Sequence, residues 1–363
     1  MELLELNLDP EGVPDWVVWH GVREKIQNWA DNPEESSWTF EGGVLTLTNA
    51  NTKVSRSMFL QGHSGKRDNS DSIGRHGDGV KSAMVCLLRE GKDIKYFNDD
   101  IMWTPVLHYS DTYEKEVVCV EEEILEEGGD GCFSVVISGI TDSEFEEIKD
   151  NYLGFQEDYD IIYQGEKGGI VSGAVNEGRI YCNGLFVCHF GNMDYGYNFK
   201  PRYLQLDRDR QTVRSFDVKW MTKDLMSGMI RQSKDIVPDI VDNIVNKKGD
   251  TEYMEHTSVP EVLKDAVYEK FQEEHGDSFI ATSQEECNKL KKDGHSKVVF
   301  TGNEVFASIV RKSSGYKSLD FSKVKVKTPK ELLDEHKDKW YDSFCTDMLD
   351  DYNELTDKIV DNC

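Results

Sequence analysis

Apolar residues recur at helical spacing over 15–31, "DWVVWHGVREKIQNWAD", where Val18, Val22, Ile26 and Trp29 share one face of a predicted helix. The period then shortens. "SWTFEGGVLTLTNA" (37–50) alternates around a turn and predicts a hairpin. A polar loop, "QGHSGKRDNSDS" (61–72), leads into a second predicted helix, "VKSAMVCLLREG" (80–91). The runs "DIKYFN", "TPVLHYS", "KEVVCVEEEI" and "CFSVVISGI" predict strands, with "EEEILEEGGDG" (121–131) as a solvated turn. In "RIYCNGLFVCHF" (179–190), Asn183-Gly184 between two β-rich runs is a hairpin signal. Residues 216–246 predict a helix broken near Pro238, and "KKGDTEYMEHTS" (247–258) a linker. Beyond 259 the chain starts as helix, passes through "SKVVFTG" and an edge-like "SKVKVK", and ends in two acidic amphipathic helices.

With 363 residues the chain exceeds one ordinary core. The changes of texture place three domains, at 1–145, 146–250 and 251–363. No apolar run reaches the roughly 18 residues of a membrane span. The acidic start "MELLELNLDPEG" lacks the features of a signal peptide, so a cytoplasmic protein is expected. The eight cysteines form no C-x-x-C pair and have no adjacent histidine cluster, which argues for free thiols over zinc or a disulfide framework. The net charge is −27, from 69 acidic and 42 basic residues. Such a surface repels nucleic-acid phosphates and favours solubility or a partner with a basic face.

The chemistry concentrates in "SIGRHGDGVKSAM" (72–84), where Gly74, Gly77 and Gly79 stand at the start of a helix. Glycine costs roughly 0.5–1 kcal/mol there relative to alanine, so something must approach this backbone closely. Neither a P-loop nor a dinucleotide fingerprint fits: "GHSGKR" lacks the first glycine and the Ser/Thr of the former, and G-x-x-G-x-G after a polar loop is not the latter. On the first helix, Glu24, Asn28 and Asp31 stand at i, i+4 and i+7 and share a face. An exposed polar stripe is one reading. Two carboxylates and an amide oxygen that serve a hard cation and a water are the other.

Glu-x-x-x-Asn-x-x-Asp on an early helix, a hairpin, a Ser/Gly/Lys loop and I-G-x-x-G-x-G-x-x-S together resemble the GHKL ATPases, the superfamily of gyrase B, the large heat-shock chaperones, histidine kinases, MutL and the MORC-type proteins. The resemblance covers about 15–140, weakens over 145–215 and is absent beyond. It implies an α+β architecture: a Bergerat-type α/β sandwich binding ATP and Mg²⁺, then a transducer-like α/β domain, then a small, largely helical C-terminal region. It implies Glu24 as the general base, Asn28 as the Mg²⁺ ligand and Asp31 as a polar residue near the nucleotide. Gly74, Gly77 and Gly79 would wrap the phosphates, with Ser82 following, and Lys66 would contact phosphate. The family's D-N-G-x-G box is represented by "NANTKV" (49–54): Asn49 stands for the adenine-binding aspartate, and Asn51 and Lys53 replace glycines, which argues for a different local backbone. Gly131-Cys132 aligns with a Gly-Thr that assists at the adenine. In "LDRDRQTVRSFDVKW" (206–220), Arg208 or Arg210 is the candidate for a basic residue sent to the γ-phosphate; a surface salt-bridge ladder is the alternative.

The function so implied is an Mg²⁺-dependent ATPase whose nucleotide drives a conformational switch of the chaperone or MORC kind, with a protein partner and a nucleotide-dependent homodimer. The alternative is an acidic binding protein that keeps the fold, has lost turnover, and inhibits or mimics a component of a nucleic-acid-handling machine. No direct contact with nucleic acid or membrane is expected in either case.

Overall fold

The computed structural model describes residues 2–31, 35–60, 78–126, 129–204, 206, 213–295, 297–317, 329–340 and 346–361. The chain divides into two compact units, Met1–Val218 and Lys219–Cys363.

The first unit begins with strand β1 (Glu2–Glu5) and helix α1 (Val18–Ala30), followed by β2 (Ser36–Glu41), β3 (Val44–Asn49), α2 (Gly79–Arg89), β4 (Asp93–Asn98), β5 (Ile101–Ser110), β6 (Lys115–Ile124), β7 (Phe133–Ser138) and α3 (Asp142–Asp150). The seven strands form one sheet in the order β1-β6-β5-β4-β7-β3-β2, antiparallel at every pairing. Its register builds the core in rows. Leu45, Ile137 and Ile94 are cross-strand partners, and so are Leu47, Val135, Tyr96 and Trp103, all of them buried. Alternate positions such as Asp93 and Lys95 are exposed, so one face carries the apolar load. The helices cover that face: Val22, Ile26 and Trp29 of α1 join Met84 and Leu87 of α2 and these strand residues in a single cluster.

Glu122, expected in a solvated turn, sits instead in β6, in the row of Trp103. It is 8% exposed, because it accepts hydrogen bonds from Trp103 Nε1 (2.8 Å) and from the Arg56 guanidinium.

A five-stranded sheet follows in the same unit: β8 (Ile161–Gln164), β9 (Gly168–Val171), β10 (Arg179–Cys182), β11 (Leu185–His189) and β12 (Gly196–Phe199), ordered β11-β10-β12-β9-β8, with only β10 and β12 parallel. The hairpin at Asn183-Gly184 forms as the dipeptide predicts, both residues taking positive φ (50° and 81°). Residues 1–145 and this sheet belong to one compact unit for a visible reason: Tyr152, Phe155 and Leu185 pack in the same core cluster as Trp29, and Tyr152 bridges to Leu185. The division of the chain falls at 218, inside α4 (Ser215–Gln232), rather than near 145 and 250.

In the second unit, α5 (Val237–Val245) starts anew with Pro238 in its first turn, as the break predicted there requires. The predicted linker 247–258 is not loose: Asp250, Thr251 and Met254 are buried within two single-turn helices. Then come α6 (Glu261–His275), β13 (Phe279–Ala281), α7 (Gln284–Lys292), β14 (Val298–Phe300), α8 (Glu304–Lys312), α9 (Ser314–Lys317), α10 (Pro329–Trp340) and α11 (Thr346–Asp361). Strands β13 and β14 pair in parallel across α7. Among the described residues, no helix is long and apolar enough to cross a membrane. The structure is mixed α+β with predominantly antiparallel sheets.

Candidate functional site

Helix α1 is unusual for the polar residues it buries. Arg23, Glu24, Lys25 and Gln27 are each 5% exposed or less, alongside the apolar Val22 and Ile26. A charge so placed is costly unless it is met by partners. Arg23 Nη2 donates to Glu24 Oε1 at 3.1 Å. Lys25 Nζ donates to the Val80 carbonyl at 3.0 Å and to the Tyr96 hydroxyl at 2.6 Å, and lies 4.9 Å from the centre of the Tyr96 ring. Glu24, Asn28 and Asp31 are therefore not an exposed stripe: Glu24 is buried, Asn28 and Asp31 partly so, and Asp31 caps the C-terminal end of the helix.

The Asn28 side chain donates from Nδ2 to the Glu24 carbonyl at 2.8 Å. A carbonyl can only be met by the donor end of an amide, so this bond turns Oδ1 away from the helix backbone, as a hard-cation ligand needs. Asn49 behaves alike: buried at the end of β3, it donates from Nδ2 to the Trp29 carbonyl at 3.0 Å, which ties β3 to the last turn of α1 and points its oxygen the other way. Among the described residues, no three or more His, Cys, Asp or Glu side chains form a group suited to holding a metal. A cation on Asn28 would draw its other ligands from phosphate and water, which is how Mg²⁺ is commonly bound.

The second helix begins against this face. A Cβ added to Gly79 would stand 2.2 Å from Glu24 Oε2. What approaches this glycine closely is thus the Glu24 carboxylate, one oxygen of which takes the bond from Arg23 while the other faces Gly79. Two residues farther on, Lys81 is 3% exposed and donates to the Leu60 carbonyl at 2.7 Å. Burial pushes the Lys25 amine down to about 7, with Lys81 lowering it further and Glu24 opposing, and burial also holds Lys81 below the usual lysine range, with Asp78 opposing. Arg23 and Lys25 on α1 and Lys81 on α2 are thus buried basic side chains near the start of α2, with both lysine amines held below their usual range.

Ser82 points elsewhere. It lines a pocket of about 200 Å³ with Asn7, Asp9, Gly12, Asp78 and Lys81, between the N-terminal segment and α2. Neither Glu24 nor Asn28 lines that pocket. Lys66, Gly74, Gly77, Arg208 and Arg210 lie outside the described residues.

In the "NANTKV" box, one of the two positions where glycine is missing has a conformation that glycine favours. Asn51 adopts φ 50°, the left-handed conformation glycine favours and asparagine tolerates. The end of the box is pinned to β4 by two bonds: Val54 N–H donates to Asn98 Oδ1 and Asn98 Nδ2 to the Val54 carbonyl, each at 2.9 Å. Asp99, which sequence reasoning missed, joins the box to 131–132: it pairs with Lys53 and accepts from Gly131 N–H at 3.0 Å. These two contacts hold its carboxyl below the usual range, the Lys53 bond most of all. The signal for Asp99 was its place in the turn "NDD" between β4 and β5. Lys25 and Lys81 were missed because nothing in their spacing distinguishes a buried lysine from a solvated one.

Residues 143–235, which include nearly all of α3, the five-stranded sheet and all of α4, match the family model described as the Mycoplasma pneumoniae MPN635 N-terminal domain. An uncharacterized protein of Mycoplasma pneumoniae (strain ATCC 29342 / M129 / Subtype 1) is 24% identical over 232 residues, covering 59% of this chain and 92% of that protein. Neither description names an activity.

Proposed function

We propose that the first unit is a Bergerat-type ATP-binding module of the GHKL kind and that the protein is an Mg²⁺-dependent ATPase. One observation carries this reading: the base candidate Glu24 and the glycine-box residue Gly79, distant in the chain, meet at the start of α2 beside buried Lys25 and Lys81. A helix start flanked by buried basic side chains, which an anion would charge, favours a polyphosphate. Further support comes from the antiparallel sheet with helices on one face and from the orientation of the Asn28 and Asn49 oxygens.

In this reading Glu24 takes a proton from the attacking water, and Asn28 Oδ1 would hold Mg²⁺, which when bound would supply positive charge to the phosphate oxygens. Asn49 accepts from the adenine amine and Asp31 lies near the nucleotide. Lys66 would contact phosphate, and Gly74, Gly77 and Gly79 would belong to the segment that wraps the phosphates, whereas Ser82 lines the other pocket. Arg208 or Arg210 would be the basic residue sent to the γ-phosphate. Nucleotide then drives a switch read by a basic-faced protein partner or a second copy of the chain. The Arg23–Glu24 bond favours a second reading, the binding protein without turnover, since Arg23 engages the very carboxylate that would act as base.

The test is a melt with and without MgATP. A ligand at 100 times its Kd stabilises by about 2.7 kcal/mol, or ~5–10 °C for a unit of this size. No shift at millimolar nucleotide, with no heat in calorimetry, refutes the assignment. Binding with no release of phosphate selects the second reading.

A further inference from the structure

Lys25 has no role in the mechanism just described, yet it is the most enclosed charge-bearing group on α1. Its amine spans two elements: it donates to the Val80 carbonyl in the first turn of α2 and to the Tyr96 hydroxyl in β4. The residue before Val80 is Gly79, whose backbone abuts Glu24, the neighbour of Lys25 on α1. One side chain thus ties the first turn of α2 to both α1 and the sheet. It is 2% exposed, so both bonds are made away from bulk water.

We infer that Lys25 is a proton-linked positioning residue of the proposed nucleotide site: its amine holds the first turn of α2 against β4, and it gains a proton when an anionic ligand binds beside that turn. The inference rests on the nucleotide reading above.

The charges facing it from each packed element set the direction. From α1 come Glu24, which favours the ammonium, and Arg23. From α2 come Lys81, which disfavours it, and Asp78, which interacts with Lys81. From β4 comes Tyr96, whose buried phenol is pushed far above its ordinary range and so stays neutral, an acceptor for either form of the amine. Buried free of ligand, the amine titrates at about 7, with desolvation as the main cause. Unit charges a few ångströms apart in a protein interior interact by several kcal/mol even at an effective dielectric near 20, so a di- or trianionic phosphate group near α2 raises that value. Neutral amine becomes ammonium and one proton is taken from solvent. Binding that takes up protons weakens as pH rises, by up to about tenfold per pH unit for one proton. Lys25 touches no phosphate in this scheme. It acts through the placement of α2 and through its charge.

The experiment is calorimetric titration of the full chain with MgADP at pH 8, in two buffers of different ionisation enthalpy, repeated from pH 6.5 to 9. Phosphate groups have their second ionisation near 6, so the ligand contributes little at pH 8. Wild type should take up about half a proton or more per MgADP, and affinity should fall steadily above pH 7. Lys25→Met, which puts an apolar chain of similar length in an enclosed site, should lose the uptake and flatten the pH profile. Tyr96→Phe keeps the amine but removes a partner, so its uptake should persist with the bend at lower pH. Wild type that binds MgADP without uptake overturns the inference, as does uptake that survives intact in Lys25→Met. Wild type that binds no nucleotide overturns the functional reading itself.

Discussion

Replacing Gly79 with alanine probes the contact that defines the site, and it does so without assuming a ligand. The new Cβ would lie 2.2 Å from Glu24 Oε2, 3.1 Å from Cδ and 3.5 Å from Cγ. Gly79 does not have a positive φ, so its own backbone accepts alanine, and the clash falls on the carboxylate. Glu24 must swing aside, but it is 5% exposed and bonded to Arg23, itself 5% exposed. A hydrogen bond between charged groups contributes about 1.5–3 kcal/mol. Alanine in place of glycine in a helix returns about 1 kcal/mol. The net expectation is a loss of about 0.5–2 kcal/mol. In a Glu24→Ala background the obstacle is gone, and the same substitution should stabilise by up to ~1 kcal/mol. The sign reversal is the signature: a coupling of about 1.5–3 kcal/mol in a double-mutant cycle. Urea unfolding of the four proteins measures it, with a Tm difference of ~2–4 °C per kcal/mol as a check. Equal effects of Gly79→Ala in the two backgrounds would show that Glu24 and Gly79 do not touch, and the site as described would fall.

Three further outcomes follow from the same geometry. Glu24→Ala should keep nucleotide and lose ~10²–10⁴-fold in turnover, whereas Asn28→Ala should weaken Mg²⁺-dependent binding itself; equal, near-wild-type hydrolysis in both refutes the roles. Lys25 has a folded-state value near 7, below its ordinary 10.5, so the unfolded chain holds the proton across that window and stability should rise with pH from about 7 to about 10.5. Lys25→Met should remove this slope, so that its stability relative to wild type is most favourable at pH 6 and least favourable near pH 10.5, and a pH series of melts reads both. Asn51→Ala should cost about 1 kcal/mol because φ is 50°, while Asn51→Gly should be close to neutral; a loss in the glycine variant as large as in the alanine one would place the cause in the side chain.

The α1 period, the Asn183-Gly184 turn and the break at Pro238 were all legible in the sequence, because each depends on the conformation of a few neighbouring residues. The stretch 247–258 looked like a linker by composition, yet Met254 is fully buried; composition reports what a segment could bear in water, not what packs over it. The missing glycines at 51 and 53 did not reveal that Asn51 takes the left-handed region, because asparagine tolerates it too and residue type and conformation are not in one-to-one correspondence.

The spacing of Glu24, Asn28 and Asp31 by itself determined that they share a helical face, since 3.6 residues per turn leaves no alternative. It did not determine whether that face meets water. Only the tertiary structure decided that Glu24 is buried against Gly79, that Lys25 reaches Val80 and Tyr96, and that Ser82 turns to another pocket. Local periodicity is set by bonds along the chain. The desolvation of a charge, and so its chemistry, is set by whatever distant segment the fold lays across it.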